Sequence, residues 1–359
     1  MDSLRIGLIG TGMMGCEHLK NLMGIDGVVV SAYSDPNPEP RSWAALTMGE
    51  RSSEAQEFVD HRDLLSSGLV DAVLVATPNF THRDILMDVF STDLPVLVEK
   101  PMCTTVEDCR DIVEAQSSRS ALTWVGLEYR YMAPIAELVR RVHGGDVGDI
   151  KMMSIREHRF PFLTKVGNWN RFSRNTGGTL VEKCCHFFDL MNLTIQARPI
   201  RVMASGAQDV NHLDEYYDGE RSDILDNAFV IVDYDNGVRA LLDLSMFAEG
   251  SRHEQEISVV GTTGKIEAFV PGDGHIVLGN RSTREVTQIP VSISDDVVHV
   301  GFHFGASFIE CQKFVSAVKN STLPEVDVVD GLWSVVIGAA AHRSIDEQRI
   351  VEISEFGLS

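Results

Sequence analysis

Apolar residues in the first third of the chain come in short unbroken runs, at residues 4–9, 28–34, 72–76, 96–98 and 122–125. Continuous rather than alternating runs suit strands buried on both faces of a parallel sheet. Between them the apolar positions recur at helical spacing, over 13–23, 83–90 and 106–116. Thr104-Thr105-Val106-Glu107 offers the last of these a capped start. Strands alternating with helices through short connections predict a doubly wound α/β sheet.

The rhythm changes after about residue 128. A helical pattern over 133–142 leads into a strand near 150–156 and then a loop rich in Asn, Arg and Gly over 167–178. Strand-like runs follow at 200–205, 228–234, 238–247, 256–260 and 265–270 with no helix between them, and Asp235-Asn236-Gly237 marks a hairpin turn. Two helices, 306–319 and 331–345, close the pattern. Consecutive strands of this kind predict an antiparallel sheet in a separate α+β domain. The expected division is 1–127 and 128–359.

Composition narrows the class. Of 359 residues, 44% are hydrophobic and 23% charged, which is globular usage and excludes a disordered or fibrous chain. Lys plus Arg number 31 against 52 Asp plus Glu, a formal charge of −21. A surface that negative repels phosphate backbones, so neither nucleic acid nor an anionic membrane is the expected partner. The six cysteines form no C-x-x-C pair and read as reduced thiols of a cytosolic protein. No basic and apolar leader stands at Met1-Asp2-Ser3-Leu4-Arg5, and no run reaches the roughly 18 apolar residues of a spanning helix. A cytoplasmic location is expected.

Three motifs carry candidate chemistry. Gly10-Thr11-Gly12-Met13-Met14-Gly15 follows the first strand and opens the first helix. Gly10 permits the tight turn, Gly12 lets a pyrophosphate approach the backbone, and Gly15 allows close helix–strand packing. Asp35 ends the second strand, where a carboxylate binds the ribose hydroxyls of NAD and repels a 2′-phosphate. Arg41, a few residues on, offers a cation that softens that preference. Glu99-Lys100-Pro101 stands at the carboxyl end of the run 96–98, placing a lysine where it meets a substrate oxygen, although a surface ion pair is the commoner fate of a lysine on such a loop.

The third motif runs from Gly177-Gly178 through Glu182, Lys183 and His186 to Asp189. A helix from near Gly178 sets Glu182 and His186 four residues apart on one face. His186 is then a base for a hydroxyl proton, oriented by Glu182, or a packed core histidine between its apolar neighbours. No metal is expected: Cys184-Cys185-His186 lacks a second ligand pair, and His299 and His303 lack an accompanying carboxylate.

Taken together, these segments resemble the Gfo/Idh/MocA family of NAD(P)-dependent oxidoreductases, the glucose–fructose oxidoreductase and inositol dehydrogenase group. The resemblance extends through Asp35-Pro36-Asn37, Thr77-Pro78-Asn79 with His82, Tyr129-Arg130-Tyr131 with Pro134, and Gly261-Thr262-Thr263-Gly264. It implies an N-terminal Rossmann domain and a C-terminal domain whose large, mostly antiparallel sheet joins copies into a homodimer or homotetramer. It implies NAD held by Gly10, Gly12, Met13, Met14, Gly15, Asp35, Thr77, Pro78, Asn79, His82, Glu99 and Lys100. It also implies Lys100 and His186 as catalytic residues supported by Glu182, with Arg130, His158, Trp169, Lys183, Asp189 and His303 lining the substrate. Glu182 stands where the family usually has Asp, and Lys183-Cys184 replaces small or apolar residues.

The activity implied is hydride transfer to NAD from a secondary alcohol of a polyol, inositol, sugar or related cyclic polyhydroxy compound. The alternatives are a glycosidase that oxidises transiently with bound NAD, and an NAD-binding regulator without turnover.

Overall fold

The computed structural model describes residues 3–358. In chain order it begins β1 (Leu4–Ile9), α1 (Met13–Met23), β2 (Val28–Ser34), α2 (Pro38–Met48), β3 (Gln56–Phe58) and α3 (His61–Ser66). Then come β4 (Ala72–Val75), α4 (His82–Phe90), β5 (Val96–Glu99), α5 (Val106–Ser117) and β6 (Thr123–Gly126). There follow α6 (Ala133–His143), β7 (Ile150–His158), α7 (Ser173–Thr176), α8 (Thr179–Glu182), α9 (Cys185–Ile195) and β8 (Pro199–Ala207). A small ribbon, β9 (Tyr216–Tyr217) with β10 (Glu220–Arg221), precedes β11 (Asn227–Tyr234), β12 (Arg239–Ser245) and β13 (Gln255–Gly261). The remainder is β14 (Gly264–Val270), β15 (His275–Asn280), β16 (Val286–Pro290), α10 (Ala306–Asn320), α11 (Val328–Glu347) and β17 (Val351–Glu352).

The chain forms two compact units. One takes the chain through Glu128 with Lys165–Asn170 and Asp295–Leu332; the other takes Tyr129–Thr164, Arg171–Ser294 and the chain from Trp333 onward. The hydrophobic pattern has no mark for the two later segments of the first unit, because packing assigns them: α10 lies against α1.

In the first unit six parallel strands run in the order β3-β2-β1-β4-β5-β6. β4, β5 and β6 are buried at every position, which is why they read as unbroken apolar runs. The order reverses between β1 and β4, and ligands of such sheets sit outside the carboxyl ends at that point. Thr105 caps α5 as its sequence implies, its hydroxyl accepting the Asp108 N–H at 3.1 Å. The pattern does not reveal β3, whose Gln56 and Glu57 are exposed.

In the second unit nine strands run in the order β16-β15-β14-β13-β7-β12-β11-β8-β17. Every pairing is antiparallel except β7 with β12. Buried and more exposed residues alternate along β11 to β14, as in a sheet covered on one face; α6 and α9 supply that cover. Gly237, with φ +83°, closes the turn between β11 and β12, its N–H donating to the Tyr234 carbonyl at 2.9 Å.

The single helix expected through 178–189 is two helices. The first turn ends with the Lys183 N–H on the Thr179 carbonyl, and the second ladder starts at the Cys184 carbonyl, which accepts from both Phe187 and Phe188. Glu182 and His186 therefore belong to α8 and α9 respectively, with Lys183 and Cys184 between.

Candidate active site

Sterics shape the turn after β1. Gly10 has φ +89°, and a Cβ there would lie 2.6 Å from the Ala76 carbonyl oxygen. A Cβ on Gly15 would lie 2.2 Å from the Gly10 carbonyl oxygen. At Gly12 a Cβ would meet nothing within 4 Å, so internal packing does not demand this glycine and close approach of a ligand remains as its role. No side chain caps the start of α1, which leaves the N–H groups of its first turn, at Met13, Met14 and Gly15, for a phosphate.

Around this turn the carboxyl ends of three neighbouring strands carry polar groups. Thr11 Oγ1, Ser34 Oγ and Asn79 Nδ2 are buried without a hydrogen-bond partner, an arrangement that costs stability unless a polar ligand meets it. Asp35 accepts the Thr11 N–H on Oδ2 at 3.0 Å and the Asn37 N–H on Oδ1 at 2.9 Å. A carboxylate so fixed keeps lone pairs for ribose hydroxyls. These residues fit a dinucleotide.

One expected cofactor residue has another duty. His82 is buried, with Nδ1 2.9 Å from the Pro101 carbonyl and Nε2 3.0 Å from the Thr77 carbonyl. Both ring nitrogens are thus engaged by backbone, so His82 braces the loop at Thr77–Asn79 against the loop at Lys100 instead of touching a ligand through them. Thr77 also accepts the Thr81 hydroxyl at 2.8 Å, which stiffens the same loop.

At the end of β5, Glu99 Oε1 lies 2.6 Å from His18 Nε2, and Oε2 accepts the Lys100 N–H at 3.1 Å. Burial pushes the Glu99 pKa up, but the hydrogen bond and charge of His18, with Lys100 and His303 nearby, outweigh it and hold the carboxyl well below the usual range. His303 Nδ1 lies 3.3 Å from Glu128 Oε1 and 3.1 Å from Ser307 Oγ. Trp169 meets Phe80 edge-on at 6.4 Å. These are all contacts within the first unit. His18 escapes the sequence reading, since nothing but its place on the buried side of α1 marks it.

In the second unit the His186 ring stacks on Tyr129, with centroids 4.0 Å apart and planes 8° from parallel. The Tyr129 hydroxyl accepts the Lys183 ammonium at 2.6 Å, and that ammonium lies 3.0 Å from Glu157 Oε1. Gln255 donates to Glu157 Oε2 at 2.7 Å. Burial, helped by Arg159, lowers the Lys183 pKa, and Glu157 opposes them. Lys183 is expected on the substrate; its ammonium serves Glu157 and Tyr129. Arg130 and Asp189 form a buried, two-pronged pair, with Arg130 Nε on Oδ2 at 2.6 Å and Nη2 on Oδ1.

His158 is corrected by strand alternation. Glu157 is buried on the helix-covered face of β7, so its neighbour projects to the opposite face and pairs with Asp243 at 3.0 Å. The structure does not bring His158 to the His186 cluster. It adds His342, whose Nε2 accepts the Leu180 N–H at 3.1 Å at the start of α8. Burial pushes the His342 pKa down to about 4, which keeps that nitrogen an acceptor. Gly178, with φ +84°, leaves the ring room: a Cβ there would lie 2.3 Å from Nε2. His342 sits in the long apolar α11, where sequence gives no hint of a partner 162 residues away.

Among the described residues no group of three or more His, Cys, Asp or Glu side chains is arranged to hold a metal. Among them, too, no helix is long and apolar enough to cross a membrane, and no disulfide joins the cysteines.

Comparison with known proteins agrees with both halves of this picture. Residues 4–127 match the model of the oxidoreductase family, NAD-binding Rossmann fold, and residues 139–353 that of the oxidoreductase family, C-terminal alpha/beta domain. The myo-inositol 2-dehydrogenase of Thermotoga maritima is 26% identical over 358 residues, covering 98% of this chain and 99% of its own. The scyllo-inositol 2-dehydrogenase (NAD(+)) of Bacillus subtilis is 24% identical over 349 residues, 95% of this chain and 94% of its own. Among solved structures, a levoglucosan dehydrogenase in complex with NADH and levoglucosan shares the fold, with a TM-score of 0.85 at 18% identity over 98% of this chain and 100% of that one. From its dinucleotide turn to its nine-stranded sheet, the chain belongs to the Gfo/Idh/MocA family of NAD-dependent oxidoreductases.

Proposed function

We propose that this dehydrogenase oxidises a secondary alcohol of a polyol, an inositol, a sugar or a related cyclic polyhydroxy compound. The observation that carries the reading is the buried His186 imidazole stacked on Tyr129, whose hydroxyl is held by Lys183. The inositol substrates named for the relatives support the same class.

The N–H groups of Met13, Met14 and Gly15 would hold NAD at its pyrophosphate, Asp35 would hold a ribose, and Thr77, Pro78, Asn79 and Glu99 would line its reactive end. When bound, it accepts a hydride from the carbinol carbon. The chain's own groups manage the oxygen and the proton. His186 takes the hydroxyl proton on a ring nitrogen, with Glu182 as its support. Lys100 donates to the oxygen as negative charge develops there. Arg130, Asp189, Trp169 and His303 hold the remaining hydroxyls.

Met152 and Val260, register partners, share the uncovered face of the nine-stranded sheet with Met203, Phe229 and Ile231, and all five are exposed. Such an apolar face supports a homodimer or homotetramer joined there. A net charge of −21 and six cysteines without a C-x-x-C pair support a cytoplasmic enzyme without nucleic-acid or membrane partners.

The test is a panel of inositols, aldoses, sugar acids and glycosides with NAD, followed by the absorbance of reduced nicotinamide. His186→Ala and Lys100→Ala are each expected to lower turnover by about 10²-fold or more, with NADH still bound by the His186 variant. Unchanged turnover in both variants overturns the assignment, and free sugar released from glycosides without net reduced nicotinamide points to the hydrolytic alternative.

A further inference from the structure

Arg41 stands on α2, six residues beyond Asp35, where a guanidinium ordinarily opens a ribose site to a 2′-phosphate. Its guanidinium is already committed. Nε donates to Glu57 Oε1 at 2.7 Å, and Nη1 donates to the Asp35 carbonyl at 2.6 Å. Glu57 lies on β3, in register with Tyr33 on β2, and its second oxygen accepts the Tyr33 hydroxyl at 3.1 Å. Both oxygens of the carboxylate are therefore used, one to grip Arg41 and one to fix the grip.

The pair has little to do with stability. The Glu57 side chain is 48% exposed, and an ion pair so placed contributes little to folding. What it changes is the charge that a nucleotide meets. With Glu57 present, Asp35 and Glu57 oppose one doubly tethered cation; without it, Arg41 keeps its bond to the Asp35 carbonyl, and its Nε and its charge are no longer taken up by a second carboxylate. Discrimination of this kind works by penalising the wrong ligand rather than by improving the right one.

We propose that Glu57 is a specificity-determining residue of the cofactor site, which excludes NADP by tying Arg41 down and adding a second carboxylate beside Asp35. The side chain acts through Arg41 and has no contact of its own with NAD. A short, polar edge strand thereby acquires a purpose that its propensity does not suggest.

NADH and NADPH are titrated by nicotinamide fluorescence into the intact protein, Glu57→Gln, and the double variant Glu57→Gln/Arg41→Ala. Glutamine keeps the size of the side chain and its bond to Tyr33, so the variant retains its strand. The ratio of the NADPH to the NADH Kd is expected to fall about 10-fold in Glu57→Gln, through tighter NADPH binding, and to return toward the original in the double variant. An unchanged ratio in Glu57→Gln overturns the proposal. So does a gain that survives loss of Arg41, because the lock is then not the cause. A fall in the ratio produced by weaker NADH binding also overturns it, since Glu57 would then be a contact of NAD itself.

Discussion

At the end of β1 the working groups are backbone amides, and the side chains contribute by their absence. Gly10 and Gly15 have no space for a Cβ, while Gly12 has space and still lacks one. Around α8 and α9 the working groups are side chains, buried together with their charges: Lys183 on Glu157 and Tyr129, Arg130 on Asp189, His186 under the Tyr129 ring. The first region is set by excluded volume over six consecutive residues. The second is set by electrostatic compensation among residues scattered along the chain. One tolerates no added atom at Gly10 or Gly15; the other tolerates no missing partner.

The largest effect is expected where a partner is removed. Lys183→Met leaves Glu157 buried without its ammonium partner, beside Gln255 and Arg159, and should cost about 3–5 kcal/mol in denaturant unfolding. Adding Glu157→Gln removes the stranded charge and should recover more than half of the loss. A Lys183→Met loss of less than about 1 kcal/mol would show that the charges are not mutually dependent, and the contrast would break.

His342 probes the same region by pH. The unfolded imidazole takes a proton near pH 6.5, whereas the folded one, its pKa pushed down by burial, resists until about 4. A depressed pKa gives stability that is full above 6.5 and is lost as pH falls toward 4, here about 3 kcal/mol. Equilibrium unfolding across that window should show the loss, and His342→Gln, which keeps an acceptor for the Leu180 N–H without titrating, should flatten this part of the acid limb. An identical limb in both proteins would place the acid sensitivity elsewhere.

The smallest effect sharpens the other side. Gly12→Ala adds a methyl group to open space, so its thermal midpoint should stay within about 2 °C of the original while NADH affinity falls about 10-fold or more. Gly10→Ala, with φ +89° and a Cβ only 2.6 Å from a carbonyl oxygen, should lower both. A Gly12 variant that binds NADH normally would take the turn out of the cofactor site.

This difference also explains what could be read from the chain beforehand. The Rossmann half was legible because its rules are local: buried strands as apolar runs, a glycine turn of fixed spacing, Asp35 at the end of β2. The antiparallel domain was legible through consecutive strand-like runs with no helix between them and the turn at Asp235-Asn236-Gly237. The break between α8 and α9 was not, since each residue there is compatible with one helix. Nor were the stations of Lys183 and His158, because Glu157 reaches Lys183 only through packing of the helices on the sheet, and Asp243 reaches His158 only through the pairing of β12 with β7. His18, His342 and Glu57 are ordinary surface or helix letters until the fold supplies Glu99, Leu180 and Arg41.

His82 adds a mechanical corollary. One imidazole lies between the carbonyls of Thr77 and Pro101, and a neutral ring has a single N–H to give. Only one carbonyl is served at a time, and a change of tautomer hands the fastening from one to the other. The segment at Thr77–Asn79 and the segment bearing Lys100 are geared through a single pivot, so displacement of either is felt by its counterpart.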